Sequence, residues 1–303
     1  YQKVDLPEIQ EKFSRAWKAE LSGVPGLTVV EIMEAAASGD VRGLYIMGEN
    51  PMISDPDIGH VKEALEKVEF LVVQDIFLSE TAELADVVLP AASFAEKDGT
   101  FTNTERRVQR VRKAVEPPGE SREDWRIICD IASRMGYPMR YDSASEIMEE
   151  IAELTPIYGG ISFPRIEEVG LQWPCPEKDH PGTPYLHKGR FSRGLGKFHP
   201  VGFLYQKERP DGEYPLILTT GRVLEHWHTG TMTRRCTVLD DLVPHGTLEI
   251  NTVDADSAGI ADGETVKVRS RRGEITVPAG VSDKVKPGPV FMAFHFKEHP
   301  ANA

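Results

Sequence analysis

The sequence predicts an α/β part followed by an all-β part, and three observations support that prediction. Two short apolar runs, GLYIMG from Gly43 to Gly48 and FLVVQD from Phe70 to Asp75, flank a helical pattern over Gly59 to Val68, the order of a β-loop-α-β unit. From Tyr214 onward β-branched and polar residues alternate instead, with turn dipeptides at Asp262-Gly263 and Arg272-Gly273. Between these regions, residues 157–210 are rich in Gly, Pro and aromatics and show little periodicity. The predicted division therefore falls near residue 210: an α/β part over 1–210, irregular from about 157, and a β part over 211–303. Pattern alone makes the second part a small barrel or a sandwich.

The elements follow in order. Ile9, Phe13, Trp17 and Leu21 recur every fourth residue and predict an amphipathic helix, with Trp17 read as core. Thr28 as cap and Gly39 as stop frame a second helix over LTVVEIMEAAASGD. Each strand of the following β-loop-α-β unit empties into polar residues, Asn50 and Ser54 after the first, Gln74 and Asp75 at the end of the second. Ligands of such units sit outside the carboxyl ends of the strands, so this is a nucleotide-binding pattern. Asn50 and Ser54 suit phosphate or ribose oxygens, and a carboxylate at Asp75 suits the two-donor edge of guanine. Asp75 reads equally well as the cap of the next helix.

Gly99 marks a turn, and FTNTERRVQRVRKAV reads as a strand or hairpin. Its positive run, Arg106, Arg107, Arg110, Arg112 and Lys113, is either a solvated face or a surface packed against an acidic neighbour or a cofactor phosphate. Helical spacing resumes from Asp124 to Met135, stopped by Gly136, and again from Ser143 or Ser145 to the residue before Pro156.

Composition narrows the function classes. A chain of 303 residues with 40% hydrophobic content can bury a sizeable core, and its formal charge of −13 argues against a nucleic-acid partner. No apolar run approaches the roughly 20 residues of a membrane-spanning helix. Cys129, Cys175 and Cys236 form no CxxC pair, so neither a disulfide framework nor an iron–sulfur site is encoded, and reduced thiols are expected. Starting at Tyr1 and ending at Asn302-Ala303, the chain reads as an internal fragment.

The richest chemistry lies in Thr219–Arg235, TTGRVLEHWHTGTMTRR, directly after the apolar run Tyr214 to Leu218. A buried strand emptying into a cationic, Thr-rich loop has the composition of an anion cradle. Gly221 permits close backbone approach, Arg222 offers a planar fork of donors, and the Thr hydroxyls and amides around Gly230 can wrap phosphate oxygens. His226 and His228, with Cys236 beyond, lack the paired spacing of a zinc site. A solvated cationic loop is the bland alternative; Trp227, a large ring between two imidazoles, points instead to stacking on a flat ligand.

This stretch resembles the corresponding loop of the molybdenum or tungsten oxidoreductases that carry two molybdopterin guanine dinucleotides, most closely formate dehydrogenase and the periplasmic-type nitrate reductases. GENPMISDPD, VVQDIFLSETAELADVVLPAASFAEKDGTFTNTERRVQ and EDWRII resemble blocks of the formate dehydrogenase catalytic subunit in the same order and spacing. RMGYPMRY and LQWPCP favour formate dehydrogenase over nitrate reductase, and DADSAGIADGETVKVRSRRGEI resembles the double-psi six-stranded β-barrel that closes this family.

The resemblance implies the C-terminal half of a formate dehydrogenase catalytic (alpha) subunit, which takes two electrons from formate to give carbon dioxide. It also implies molybdenum or tungsten, two molybdopterin guanine dinucleotides, and a 4Fe-4S cluster held by the missing N-terminal half. That half would also carry the metal-ligating Cys or selenocysteine, leaving this chain no catalytic or metal-binding residue. An iron–sulfur electron-transfer subunit is the expected partner, and the cytoplasm the expected location. Carried over position by position, Asn50, Ser54, Gln74, Asp75 and Asp124 fall at the nucleotide end of one cofactor. Arg222, His226, Trp227, His228 and Thr229 grip from the barrel side, and Asn302 adds a polar contact. After VVLP, where the family can carry Ser, this chain has Ala91, with Ser93 two residues on. The family match places His226 on the cofactor, with His228 in support. The alternatives are a nitrate reductase of the same family and a stand-alone pterin-binding subunit without its own active centre.

Overall fold

A computed structural model describes residues 2–205 and 208–302. The chain opens with α1 (Pro7–Trp17), α2 (Val29–Ser38), β1 (Gly43–Met47), the single turn α3 (Pro51–Ser54), α4 (Ile58–Lys67) and β2 (Phe70–Asp75). It continues through β3 (Val87–Pro90), the strands β4 (Gly99–Thr102) and β5 (Arg107–Val111), α5 (Asp124–Arg134), α6 (Ala144–Leu154) and the short β6 (Leu171–Gln172). The last part holds β7 (Ile217–Gly221), α7 (Thr237–Leu242), β8 (Leu248–Ile250), α8 (Thr252–Ala258), β9 (Thr265–Arg269), β10 (Glu274–Val281) and β11 (Pro289–Ala293). No helix among the described residues is long and apolar enough to cross a membrane.

Packing groups the chain differently from a single cut near residue 210. One compact unit gathers 1–28 and 89–201, the other 29–88 and 202–303. In the first, β4 and β5 form the expected hairpin, Thr100 opposite Arg110, and β6 extends it. Its core joins Val108 and Met148 to Ile161, Phe163, Ile166 and Cys175, so the start of the expected connector is packed rather than loose. The positive run is paired locally: Arg110 with Asp98 and Glu167, Arg112 with Glu167, Arg107 with Glu105. Those acidic neighbours use up the charge that sequence left between solvent, an acidic surface and a phosphate. Trp17, read as core, is 39% exposed, its indole N–H donating to Glu150 at 2.8 Å.

In the second unit β1 and β2 pair in parallel, Gly43 opposite Phe70, and β3 completes a three-stranded sheet in the order β1-β2-β3. Helices α2 and α4 bury Met33, Ala36, Val61, Ala64 and Leu65 with Leu71 and Val73 of β2. Asp57 caps α4, its side chain accepting from the His60 amide at 3.1 Å. The C-terminal strands form one five-stranded sheet in the order β7-β11-β8-β10-β9. β11 runs parallel to β7 and β10 parallel to β8, whereas β9 and β10 form the antiparallel hairpin marked by Arg272-Gly273. The part expected to be all-β contains two helices, α7 and α8. Asn251 caps α8 by accepting from the Val253 amide at 2.9 Å, and Gly259 ends it in the left-handed region; this capping outweighs the β-branched residues around it.

The reason 29–88 groups with 202–303 is a set of specific polar ties. The Asn302 side-chain amide donates to the carbonyls of Ile53, at 3.1 Å, and Asp55, while its own carbonyl accepts from the Ile58 amide at 3.3 Å. Lys297 pairs with Glu80 at 2.8 Å, and Arg235 donates to the Leu78 carbonyl at 3.3 Å.

Candidate functional site

The site is built where β7 ends. Phe291 of β11 lies opposite Thr219 of β7 and packs its ring against Gly221: a Cβ there would come within 2.8 Å of a ring carbon. Gly221 is thus required by strand packing, and its carbonyl accepts from the Phe294 amide at 3.1 Å. The next residue, Arg222, is exposed, and its guanidinium has no hydrogen bond or ion pair among the described residues. It lies instead 5.5 Å from the Phe294 ring centroid and 5.9 Å from that of Trp227. Aromatic faces hold a guanidinium without consuming its five donors, leaving them for a ligand. Trp227 is 65% exposed.

The two histidines separate sharply. His226 is 3% exposed and turned inward. Its Nε2–H donates to the Val243 carbonyl at 2.8 Å, and its Nδ1 lies 3.3 Å from the Thr233 hydroxyl, which also accepts from the Trp227 amide. Both ring nitrogens are occupied by the chain itself. His228 is half-buried with its ring edge-on to Phe294, and it lines a groove of about 1010 Å³. The two residues thus differ in setting: His226 is turned into the fold and bonded by it, and His228 lines the groove. The cause is backbone geometry, because His228 sits at φ 48, a left-handed turn that breaks the simple alternation of an extended loop.

Ser54, Thr220 and Asn302 line the same groove as His228. The Ser54 hydroxyl donates to Asp55 at 2.8 Å, and Asn302 fixes the backbone on either side of Ser54 through Ile53 and Asp55. The floor is apolar, with Leu218, Leu248 and Val290, and Arg269 and Arg271 stand at the rim. Of the cations along the groove, Arg269 pairs with Glu213 at 3.8 Å and Arg271 with Asp211 and Glu208.

Other expected contacts lie away from this groove. Asn50 is buried and fully engaged. Its amide donates to Glu80 at 2.8 Å and to Thr231 at 3.3 Å, and its carbonyl oxygen accepts from the amide and hydroxyl of Thr81. Gln74 is fully buried and accepts from the Tyr45 hydroxyl. Asp75 is half-buried at the end of β2, accepting from the Ile76 amide at 2.7 Å. It caps no helix, since the next helical turn begins beyond Thr81. Thr229 shares a hydrogen bond with Thr231 at 2.7 Å. Asp124 belongs to the other compact unit, where it pairs with Lys97.

Several residues of the site were not singled out from sequence. Glu80 joins Asn50 to Lys297: burial pushes its carboxyl up, but hydrogen bonds from Lys297 and Asn50 bring it below the ordinary carboxylate range. Arg234 anchors the far end of the loop to Asp240 and Glu298 at 3.1 and 2.7 Å. His295, 1% exposed, bridges the loop from beneath. The available signal was FMAFHFKEHP, a second apolar strand emptying into His residues as β7 empties into its own loop.

Comparison with known proteins identifies the family. The model of a molybdopterin oxidoreductase family matches residues 8–134, and that of the "Molydopterin dinucleotide binding domain" matches residues 216–303. The chain is 52% identical over 302 residues to the F420-dependent formate dehydrogenase subunit alpha of Methanocaldococcus jannaschii, covering 98% of this chain and 44% of that protein. It is 40% identical over 303 residues to formate dehydrogenase H of Escherichia coli, covering 98% of this chain and 42% of that protein. The chain thus spans less than half the length of these curated relatives. Among solved structures, acetylene hydratase from Pelobacter acetylenicus matches 96% of this chain and 43% of its own with a TM-score of 0.70 at 17% identity, a likeness of fold alone.

Proposed function

The chain belongs to the molybdopterin oxidoreductase family, and from that membership we propose that it forms the later part of a formate dehydrogenase catalytic subunit, where its work is to grip molybdopterin guanine dinucleotide. Relatives that are 40 to 52% identical over nearly all of this chain carry the formate dehydrogenase name, which supports formate as substrate of the whole protein.

The observation that carries the cofactor reading is the Arg222 guanidinium, packed near two aromatic rings with no carboxylate or carbonyl partner among the described residues. In a chain of net charge −13, a presented cation without a protein partner suits an anionic ligand. The donor set fits a dinucleotide. Arg222 supplies a bidentate fork, and Ser54, Thr220, His228 and Asn302 stand along one groove. Trp227 offers a flat face. Asp75, at the carboxyl end of a parallel strand, has the acceptor chemistry that guanine requires. Asn50, Gln74 and His226 act one step back, holding the backbone that presents these groups; Asp124 and Thr229 remain assigned to the cofactor by resemblance.

When bound, the pterin-held molybdenum or tungsten supplies the two-electron chemistry. The residues of this chain bind, orient and enclose. Two dinucleotides, a 4Fe-4S cluster and an iron–sulfur partner subunit belong to the same reading. So does the division near residue 210, with the five C-terminal strands part of a double-psi barrel, which their mixed parallel and antiparallel pairing supports. The test is formate oxidation with an artificial electron acceptor by the full-length subunit, with pterin and metal measured on the same sample. Pterin-loaded protein that oxidises formate is the expected result. Pterin-loaded protein inert to formate would remove the substrate, and protein without pterin would remove the grip.

A further inference from the structure

We propose that His295 is a positioning residue that bridges both limbs of the Arg222–Thr229 loop and so sets where Arg222 and His228 are presented, an inference whose functional meaning rests on the cofactor reading above. His295 lies two residues beyond β11 and is 1% exposed. Its Nε2 lies 3.0 Å from the Val223 amide nitrogen, and its Nδ1 meets the His228 carbonyl. An amide can only donate and a carbonyl can only accept. One neutral tautomer, protonated on Nδ1 and bare on Nε2, satisfies both.

The ring therefore ties the residue after Arg222 to His228 itself, whose φ of 48 is an uncommon conformation for a side chain of this size. The adjoining Phe294 amide holds Gly221, so consecutive residues after β11 template the loop at three points.

The bridge depends on proton state. A second proton would place an Nε2–H against the Val223 N–H, donor against donor. The groups facing His295 are His226, with ring centroids 5.7 Å apart, together with His228 and Arg222. Burial pushes its pKa down and the His228 carbonyl pushes it up; those three cationic or titrating neighbours add to the downward side, and the net shift is down. With the folded value below the unfolded one, the bridge is intact above the ordinary histidine range and is lost as pH falls through the folded value.

The experiment is hydrogen–deuterium exchange of the peptide over 222–229 in the full-length subunit, corrected for intrinsic rates, across neutral to acidic pH, with pterin content measured alongside. Wild type should show steady protection at neutral pH and a step loss on acidification. His295→Ala should exchange about tenfold faster than wild type at neutral pH, the scale of one lost net hydrogen bond, with the difference closing once wild type has passed its acid step. His295→Gln, whose carbonyl can still accept from Val223 but cannot titrate, should keep part of the protection and lose the acid step. An unchanged rate in His295→Ala, or the same acid step in His295→Gln, would overturn the bridge. If His295→Ala does not fold, the comparison of wild type with His295→Gln decides alone. The expected exchange pattern in protein that carries no pterin would support the bridge and overturn the cofactor reading.

Discussion

At the scale of single residues, the site turns on which polar groups the fold has already used. Arg222 is unspent, near Trp227 and Phe294 but bonded to neither. Lys at this position keeps the charge and loses the fork. Arg222→Lys in the full-length subunit should therefore weaken pterin retention by about 1.5 to 3 kcal/mol, the range of a charged hydrogen bond, with little change in melting temperature. Full pterin content in that variant would remove Arg222 from the grip. His226 and His228 give an opposed pair of outcomes. His226→Ala strands the Val243 carbonyl and should cost about 1 to 3 kcal/mol of stability, read by urea unfolding. His228→Ala should leave stability nearly unchanged and lower pterin content. The reverse pattern would support the order that the family resemblance implies. Residue identity was enough to nominate both histidines. It could not rank them, because the ranking comes from a left-handed φ at His228 and from partners seventeen and sixty-seven residues away.

At the scale of elements, the Arg222–Arg235 loop is shaped by its glycines and by β11 beneath it. Gly230 has φ +73, and a Cβ there would lie 2.9 Å from Arg234 side-chain carbons and 3.1 Å from the His295 carbonyl. Gly230→Ala should destabilise by about 1 to 2 kcal/mol from the left-handed backbone, with crowding added, measured as a fall in melting temperature. A neutral effect would mean the loop relaxes freely. Strong local signals made most elements legible beforehand: α4, β1, β2, α5 and α6 lie within a residue or two of the patterns that announced them. α7, α8 and α3 escaped notice because helices this short show too few turns for periodicity, and only α8 carries a side-chain cap. The packing of 161–175 escaped for a related reason, since irregular backbone can bury Ile161, Phe163 and Ile166 without any repeat.

At the scale of the whole molecule, residues far apart in sequence are joined by a few polar ties, and Glu80–Lys297 is the one that titrates. The folded Glu80 carboxyl lies below its unfolded value, so its contribution is present above about pH 4.3 and is lost as pH falls through the folded value. Lys297 is half exposed, which limits the pair to about 1 kcal/mol. Lys297→Met should thus be less stable than wild type at neutral pH by about that amount, the gap closing as pH falls through the folded value of Glu80, in paired urea titrations. A gap independent of pH would mean that Lys297 acts through packing alone.

The sequence by itself determined the order of an α/β part and a β-rich part, the cationic loop after a buried strand, and the family, because periodicity and contiguous motifs are local properties of a chain. Only the tertiary structure decided that 29–88 packs with 202–303, that Asn50 and His226 are buried and bonded within the fold while Arg222 is exposed and His228 lines the groove, and that His295 bonds both Val223 and His228. Each of those facts is a question of which donor meets which acceptor. Partners in a folded chain are chosen by proximity in space, and spacing along the sequence does not record that proximity.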